Sequence, residues 1–84
     1  MASVEERVIA VTARVLQRDP AAITTGDNFS TDLGAESVQS IELVASFEEE
    51  FGIEMDEDAA LSVESVEAAV SFVRKTCQEQ GVEV

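Results

Sequence analysis

The side chains that could do chemistry here are few in kind. The chain carries 18 acidic residues, five basic ones, one cysteine and no histidine. Without histidine the usual general base is missing, and so are the nucleophilic triads built on it. A lone cysteine, Cys77, cannot close an internal disulfide. No Cys/His cluster is available for zinc, and no glycine-rich phosphate loop is present. Asp56, Asp58 and Glu64 have some of the spacing of a calcium loop, but Ala60 and Leu61 stand where that loop needs an oxygen ligand and a glycine. What remains is a hydroxyl: Ser37, in the stretch Asp32-Leu33-Gly34-Ala35-Glu36-Ser37-Val38-Gln39-Ser40-Ile41-Glu42-Leu43. It has two readings. A serine at a helix start can cap the first turn by accepting a hydrogen bond from an unpaired backbone N–H. It can also be a hydroxyl held out in solvent for another protein to modify.

The elements that place Ser37 are legible from spacing. Ser3 followed by Glu6 is a capping-box pattern. Val4, Val8, Val11 and Val15 then recur at helical intervals, widened by Ile9 and Leu16, and Asp19-Pro20 is expected to end this first helix. A long loop follows over 21–36. Thr24 to Asn28 are turn formers, Ile23, Phe29 and Leu33 are apolar pins, and Gly34 suits a backbone that other residues resist. A second helix is predicted from Ser37 to Phe51, with Leu43, Val44, Phe47, Phe51 and, at its edge, Ile41 facing the core. The opposite arc holds Val38, Glu42, Ala45 and Glu49, flanked by Glu48 and Glu50. Small apolar residues among carboxylates read as a docking surface, apolar for affinity and acidic for steering.

Gly52 stops that helix, and a short helix is expected over 56–61. The last helix starts at Ser62 or at Glu64-Ser65, with Val63, Val66, Val70, Val73 and Cys77 as its core stripe and Phe72 near the core's edge. Cys77 on that stripe reads as a small buried hydrophobe. Residues 81–84 are expected to fray. Three long helices and one short one predict an all-α fold, a small antiparallel bundle forming one domain over 1–84.

Charge narrows the partners. The formal net charge is −13, and from Asp19 to Val73 inclusive there are 14 of the 18 acids and no Lys or Arg. Such a field repels nucleic acid and anionic membrane surfaces, attracts basic protein patches, and opposes its own compaction. No apolar run approaches the roughly 20 residues of a membrane span. The N-terminus has no signal-peptide pattern. A cytoplasmic monomer is the expectation.

The motif around Ser37, followed by Ile41-Glu42-Leu43-Val44 and Phe47-Glu48-Glu49-Glu50-Phe51-Gly52-Ile53-Glu54-Met55, resembles the acyl carrier proteins, whose pattern is D-L-G-x-D-S-L and then V-E-L-x-x-x-L-E-E-E-F. Asp19-Pro20, Ile23 and Asp27-Asn28-Phe29 resemble that family's first loop, and Val63 to Val73 its last helix, so the likeness covers nearly the whole chain. The resemblance implies that this is not an enzyme but a carrier. Ser37 would take 4'-phosphopantetheine from coenzyme A through a phosphopantetheinyl transferase. The terminal thiol of that arm, rather than Cys77, would hold acyl groups as thioesters. Partners would be acyl-transferring and acyl-modifying enzymes of fatty acid, lipid or polyketide synthesis with basic docking patches. By position the recognition face carries over to Glu36, Val38, Glu42, Ala45, Glu48 and Glu49. A core of this kind can loosen to shelter an acyl chain, which valine-rich stripes permit.

Three departures bear on partner choice. Glu36 stands where the family has aspartate, which weakens the helix cap and moves a carboxylate expected to help position the transferase's metal ion. Val38 replaces a leucine, and Ala45 a position often held by methionine. Together they suggest a specialised carrier. An aminoacyl or peptidyl carrier is the alternative within the class, and heavy acidity argues against it. An unmodified acidic adaptor, with Ser37 serving only as a cap, is the alternative outside it.

Overall fold

A computed structural model describes residues 2–84. Its elements are α1 (Val4–Leu16), a 3-10 turn (Pro20–Ala22), α2 (Ser37–Phe51), α3 (Glu57–Leu61) and α4 (Val66–Glu79). Among the described residues there is no strand, and one isolated bridge joins Asn28 to Ser65. The all-α bundle of three long helices and one short one is therefore the fold.

Helix α1 begins as its sequence dictates. Ser3 N–H donates to Glu6 Oε1 at 3.2 Å, and Glu6 N–H donates to Ser3 Oγ at 3.1 Å, so two orphan donors are satisfied reciprocally. Its end differs from the expectation. The helix stops at Leu16, ahead of Pro20, because Gln17 turns left-handed with φ 55° and ψ 52°. Arg18 N–H then reaches back to Ala13 O at 2.9 Å, the six-to-one bond of a Schellman turn. Asp19-Pro20 does not terminate α1 but starts the separate 3-10 turn, where Asp19 Oδ1 accepts from Ala21 N–H.

Contacts at the helix ends set the directions. Arg7, near the start of α1, pairs with Glu50 at the end of α2: Nε to Oε2 is 2.9 Å, and Nη2 donates to the Glu50 carbonyl at 2.8 Å. The same guanidinium lies 4.3 Å from the centre of the Phe51 ring. Beyond the ends of α2 and α4, Gln80 and Glu54 exchange two hydrogen bonds. So α1 runs antiparallel to α2 and α4, which point the same way; the long loop joins α1 to α2 at one end, and the segment carrying α3 returns the chain to the start of α4.

That long loop is tied rather than loose. The carbonyls of Asp27 and Thr25 accept from Val66 and Glu67 N–H, each at 3.0 Å, and Phe29 N–H donates to Glu64 O at 2.9 Å. The loop thereby satisfies first-turn donors of α4 that have no partner within their own helix. Asn28 organises the next bend. Its Oδ1 accepts from Ser30 and Thr31, and its carbonyl from Asp32 and Leu33. Phe29, Leu33 and Ile23 are buried as pins, as their spacing suggested.

The core joins Val8, Val11, Val66, Val73 and Cys77 to Leu43, Phe47 and Phe51. Two threonines, Thr12 and Thr76, are buried as well. Thr12 Oγ1 donates to Val8 O and Thr76 Oγ1 to Phe72 O, both at 2.8 Å, so each hydroxyl is satisfied within its own helix. Helix α4 starts with Ser65 as its cap, which leaves Val63 outside the helix and half-buried. The fraying expected over 81–84 does not begin at Gly81, because residues 81 and 82 are tied back. Gly81 takes φ 71°, Val82 N–H donates to Cys77 O at 2.8 Å, and Val82 packs on the core. Glycine-terminated helices end this way because a left-handed residue lets the last carbonyls find donors.

Candidate functional site

Ser37 is the first residue of α2, and it is exposed. The capping position belongs to Glu36, in extended backbone at φ −90° and ψ 168°. Of the two readings of Ser37, the geometry therefore builds the exposed hydroxyl, one residue too far into the helix to be its cap. Glutamate is a poor capping residue. Gln39 offsets this by accepting the Glu36 N–H on its Oε1 at 3.0 Å.

The chain entering the helix is held at several points. Ala35 N–H donates to Phe29 O at 2.7 Å. Gly34 takes φ 67°, a left-handed turn that a side chain would strain. Arg18 reaches across from the end of α1 and donates from Nη2 to the Leu33 carbonyl at 3.0 Å. No sequence feature points to Arg18, because nothing in local spacing shows a contact across 15 residues.

The outer face of α2 is a mixed surface. Val38 is 65% exposed and Ile41 53%, with Leu61 of α3 at 41%. Glu42, Ala45 and Glu49 are exposed along the same helix. Ile41 is thus not at the edge of the core: its place is on the surface, while Leu43, Phe47 and Phe51 bury the other side and Val44 is half-buried. The two flanking glutamates also depart from the expectation. Glu48 Oε2 accepts the Met55 N–H at 2.9 Å, tying α2 to the loop before α3. Glu50 turns to α1 and pairs with Arg7.

Behind this face lies a small apolar cavity of about 40 Å³ between α2, α3 and α4, lined in part by Leu43, Phe47, Met55, Leu61 and Phe72. Its volume suits little more than a water or two. Cys77 is fully buried. Burial pushes its thiol above the usual range, and the nearby Arg7 charge offsets only part of that, so it has the character of an inert core residue. Among the described residues, no three His, Cys, Asp or Glu side chains converge as a metal site. No described helix is long and apolar enough to cross a membrane.

An exposed hydroxyl at the head of a 15-residue helix, between a left-handed turn and an apolar-acidic face, fits a phosphodiester. First-turn N–H groups and the helix dipole favour an anion at that position, and the exposed Ser37 leaves room for a bulky group. A small helical bundle with such a serine at one end has the form of a domain that a separate enzyme can modify.

Comparison with known proteins agrees. The family described as phosphopantetheine attachment site matches residues 6–73. An acyl carrier protein of Phenylobacterium zucineum (strain HLK1) is 43% identical over 75 residues, 89% of this chain and 95% of that protein. The acyl carrier protein AcpP of Rhizobium meliloti (strain 1021) is equally similar, with 96% of its length covered. Among solved structures, a candidate acyl carrier protein from Mycobacterium tuberculosis superposes with a TM-score of 0.81 at 27% identity, covering 87% of this chain and 97% of that one. The chain belongs to the phosphopantetheine attachment family and, within it, to the acyl carrier proteins.

Proposed function

We propose that the chain acts as a single domain that is modified on Ser37 with 4'-phosphopantetheine and shuttles acyl groups between enzymes without catalysing a reaction itself. The observation that carries this reading is the exposure of Ser37 as the first residue of α2, beside rather than at the capping position. In the modification, Ser37 Oγ bonds to the phosphorus that bears the pantetheine arm of coenzyme A. The pyrophosphate P–O bond breaks, 3',5'-ADP leaves, and the serine proton passes to a base on the transferase. Once attached, the arm supplies a terminal thiol that holds acyl groups as thioesters.

The chain's own residues present and address that arm. Glu36 and Gln39 hold the first turn, and Gly34 sets its angle. Val38, Glu42, Ala45 and Glu49 form the face offered to basic partner enzymes, with Glu48 at its edge. Acids on this face steer the encounter, and the apolar residues among them supply contact. A cytoplasmic monomer serving the transferase and enzymes of fatty acid, lipid or polyketide synthesis is the setting that this chemistry supports.

Intact mass after incubation with coenzyme A, magnesium and a broad-specificity phosphopantetheinyl transferase tests the reading. One added phosphopantetheine is expected in the native chain and none in Ser37→Ala. No addition with several transferases would return the chain to the adaptor reading, in which it binds basic proteins unmodified.

A further inference from the structure

Arg18 stands apart from the other basic residues. It leaves α1 through the left-handed Gln17, and its guanidinium settles on the segment that delivers Ser37. Nη2 donates to the Leu33 carbonyl at 3.0 Å. A Cβ built on Gly34 would lie 3.5 Å from that same nitrogen, so the guanidinium stands where a side chain at position 34 would meet it. The N–H groups of Asp32, Leu33 and Ala35 are already taken by carbonyls of Asn28 and Phe29. The Leu33 carbonyl is held instead by Arg18, from just beyond the end of α1.

We propose that Arg18 is a positioning residue for modification of Ser37, a role that rests on the carrier reading above. It keeps residues 33–36 in the one conformation that presents the hydroxyl. A segment that samples other conformations binds its partner with an affinity reduced by the fraction in the competent one. Loss of Arg18 therefore acts on KM and leaves the chemical step alone. The charge effect has the opposite sign. Removing Arg18 takes the net charge from −13 to −14, which strengthens attraction to a basic transferase. A rise in KM thus cannot come from long-range electrostatics.

The test compares native chain, Arg18→Ala and Arg18→Lys as substrates of a broad-specificity phosphopantetheinyl transferase with coenzyme A and magnesium. Backbone amide exchange is measured on the same unmodified proteins. Arg18→Ala is expected to raise KM about 3- to 10-fold, the range one hydrogen bond of modest net strength allows, with kcat within about twofold. Exchange at Leu33 to Glu36 should quicken while the helix cores stay protected. Lysine keeps a donor for a single carbonyl, although without the planar fork, and so restores part of both. A KM for Arg18→Ala at or below the native value overturns the proposal, and so does unchanged exchange at Leu33 to Glu36. If the native chain is not modified at all, the carrier reading falls and the positioning role with it. The exchange data would still show separately whether Arg18 orders the loop.

Discussion

At the scale of single residues, the same amino acid does different work according to where the fold sends it. Glu42, Glu48, Glu49 and Glu50 lie within nine residues, yet two face solvent, one ties down Met55 and one pairs with Arg7. Charge reversal separates them. Glu42→Lys or Glu49→Lys is expected to slow association with a basic partner enzyme, most at low salt. Glu50→Lys is expected to lower stability first, by placing two cations together. Stopped-flow association across a salt series, beside melting curves, distinguishes the two, and an unchanged on-rate for Glu42→Lys would remove the docking face. Cys77 makes a second prediction. A thiol reagent is expected to modify it slowly in the native state and fast in urea, and fast native reaction would contradict its burial. Its folded pKa lies above its ordinary value of 9.0. The folded state therefore holds that proton more tightly than the unfolded chain. Its share of stability is complete below about pH 9 and falls as pH rises beyond it.

Helix ends carry most of the detail at the scale of elements. Helices α2 and α4 finish on glycines at φ 65° and 71°, but α1 finishes on Gln17 at φ 55°. A left-handed non-glycine residue costs on the order of 1–2 kcal/mol, part of which glycine gives back through the freedom it adds to the unfolded chain. Gln17→Gly is expected to stabilise the domain by about 0.5–1 kcal/mol, read as a higher Tm. A lower Tm would mean that the glutamine side chain makes a contact worth more than the strain. The clasp between α1 and α2 has the reverse sign. Arg7→Ala loses an ion pair, a bond to the Glu50 carbonyl and a contact with the Phe51 ring. A cost of about 1–2 kcal/mol is expected, and no change in denaturant midpoint would show the clasp to be idle.

For the molecule as a whole, charge and core act against each other. A net charge of −13 on 84 residues opposes compaction, and valine is the commonest residue of the restoring core. Millimolar magnesium is expected to raise Tm by screening that repulsion, without a defined stoichiometry, because no described acids converge as a site. A flat response would show that the repulsion is too weak to matter. The sequence alone determined the number of helices, the capping box of α1, the valine stripes and the head of α2 at Ser37. Those features rest on short-range periodicity and capping, which act within a turn or two. Tertiary structure decided the rest. Only packing shows that Ile41 lies outside, since a residue at the edge of a helical arc is placed by the neighbour it meets. Only packing shows that Val82 docks on the core, that Glu48 and Glu50 are engaged, and that Arg18 reaches Leu33. Each depends on partners 5 to 43 residues away in the chain, and a helical period carries no information about which distant atom will stand opposite.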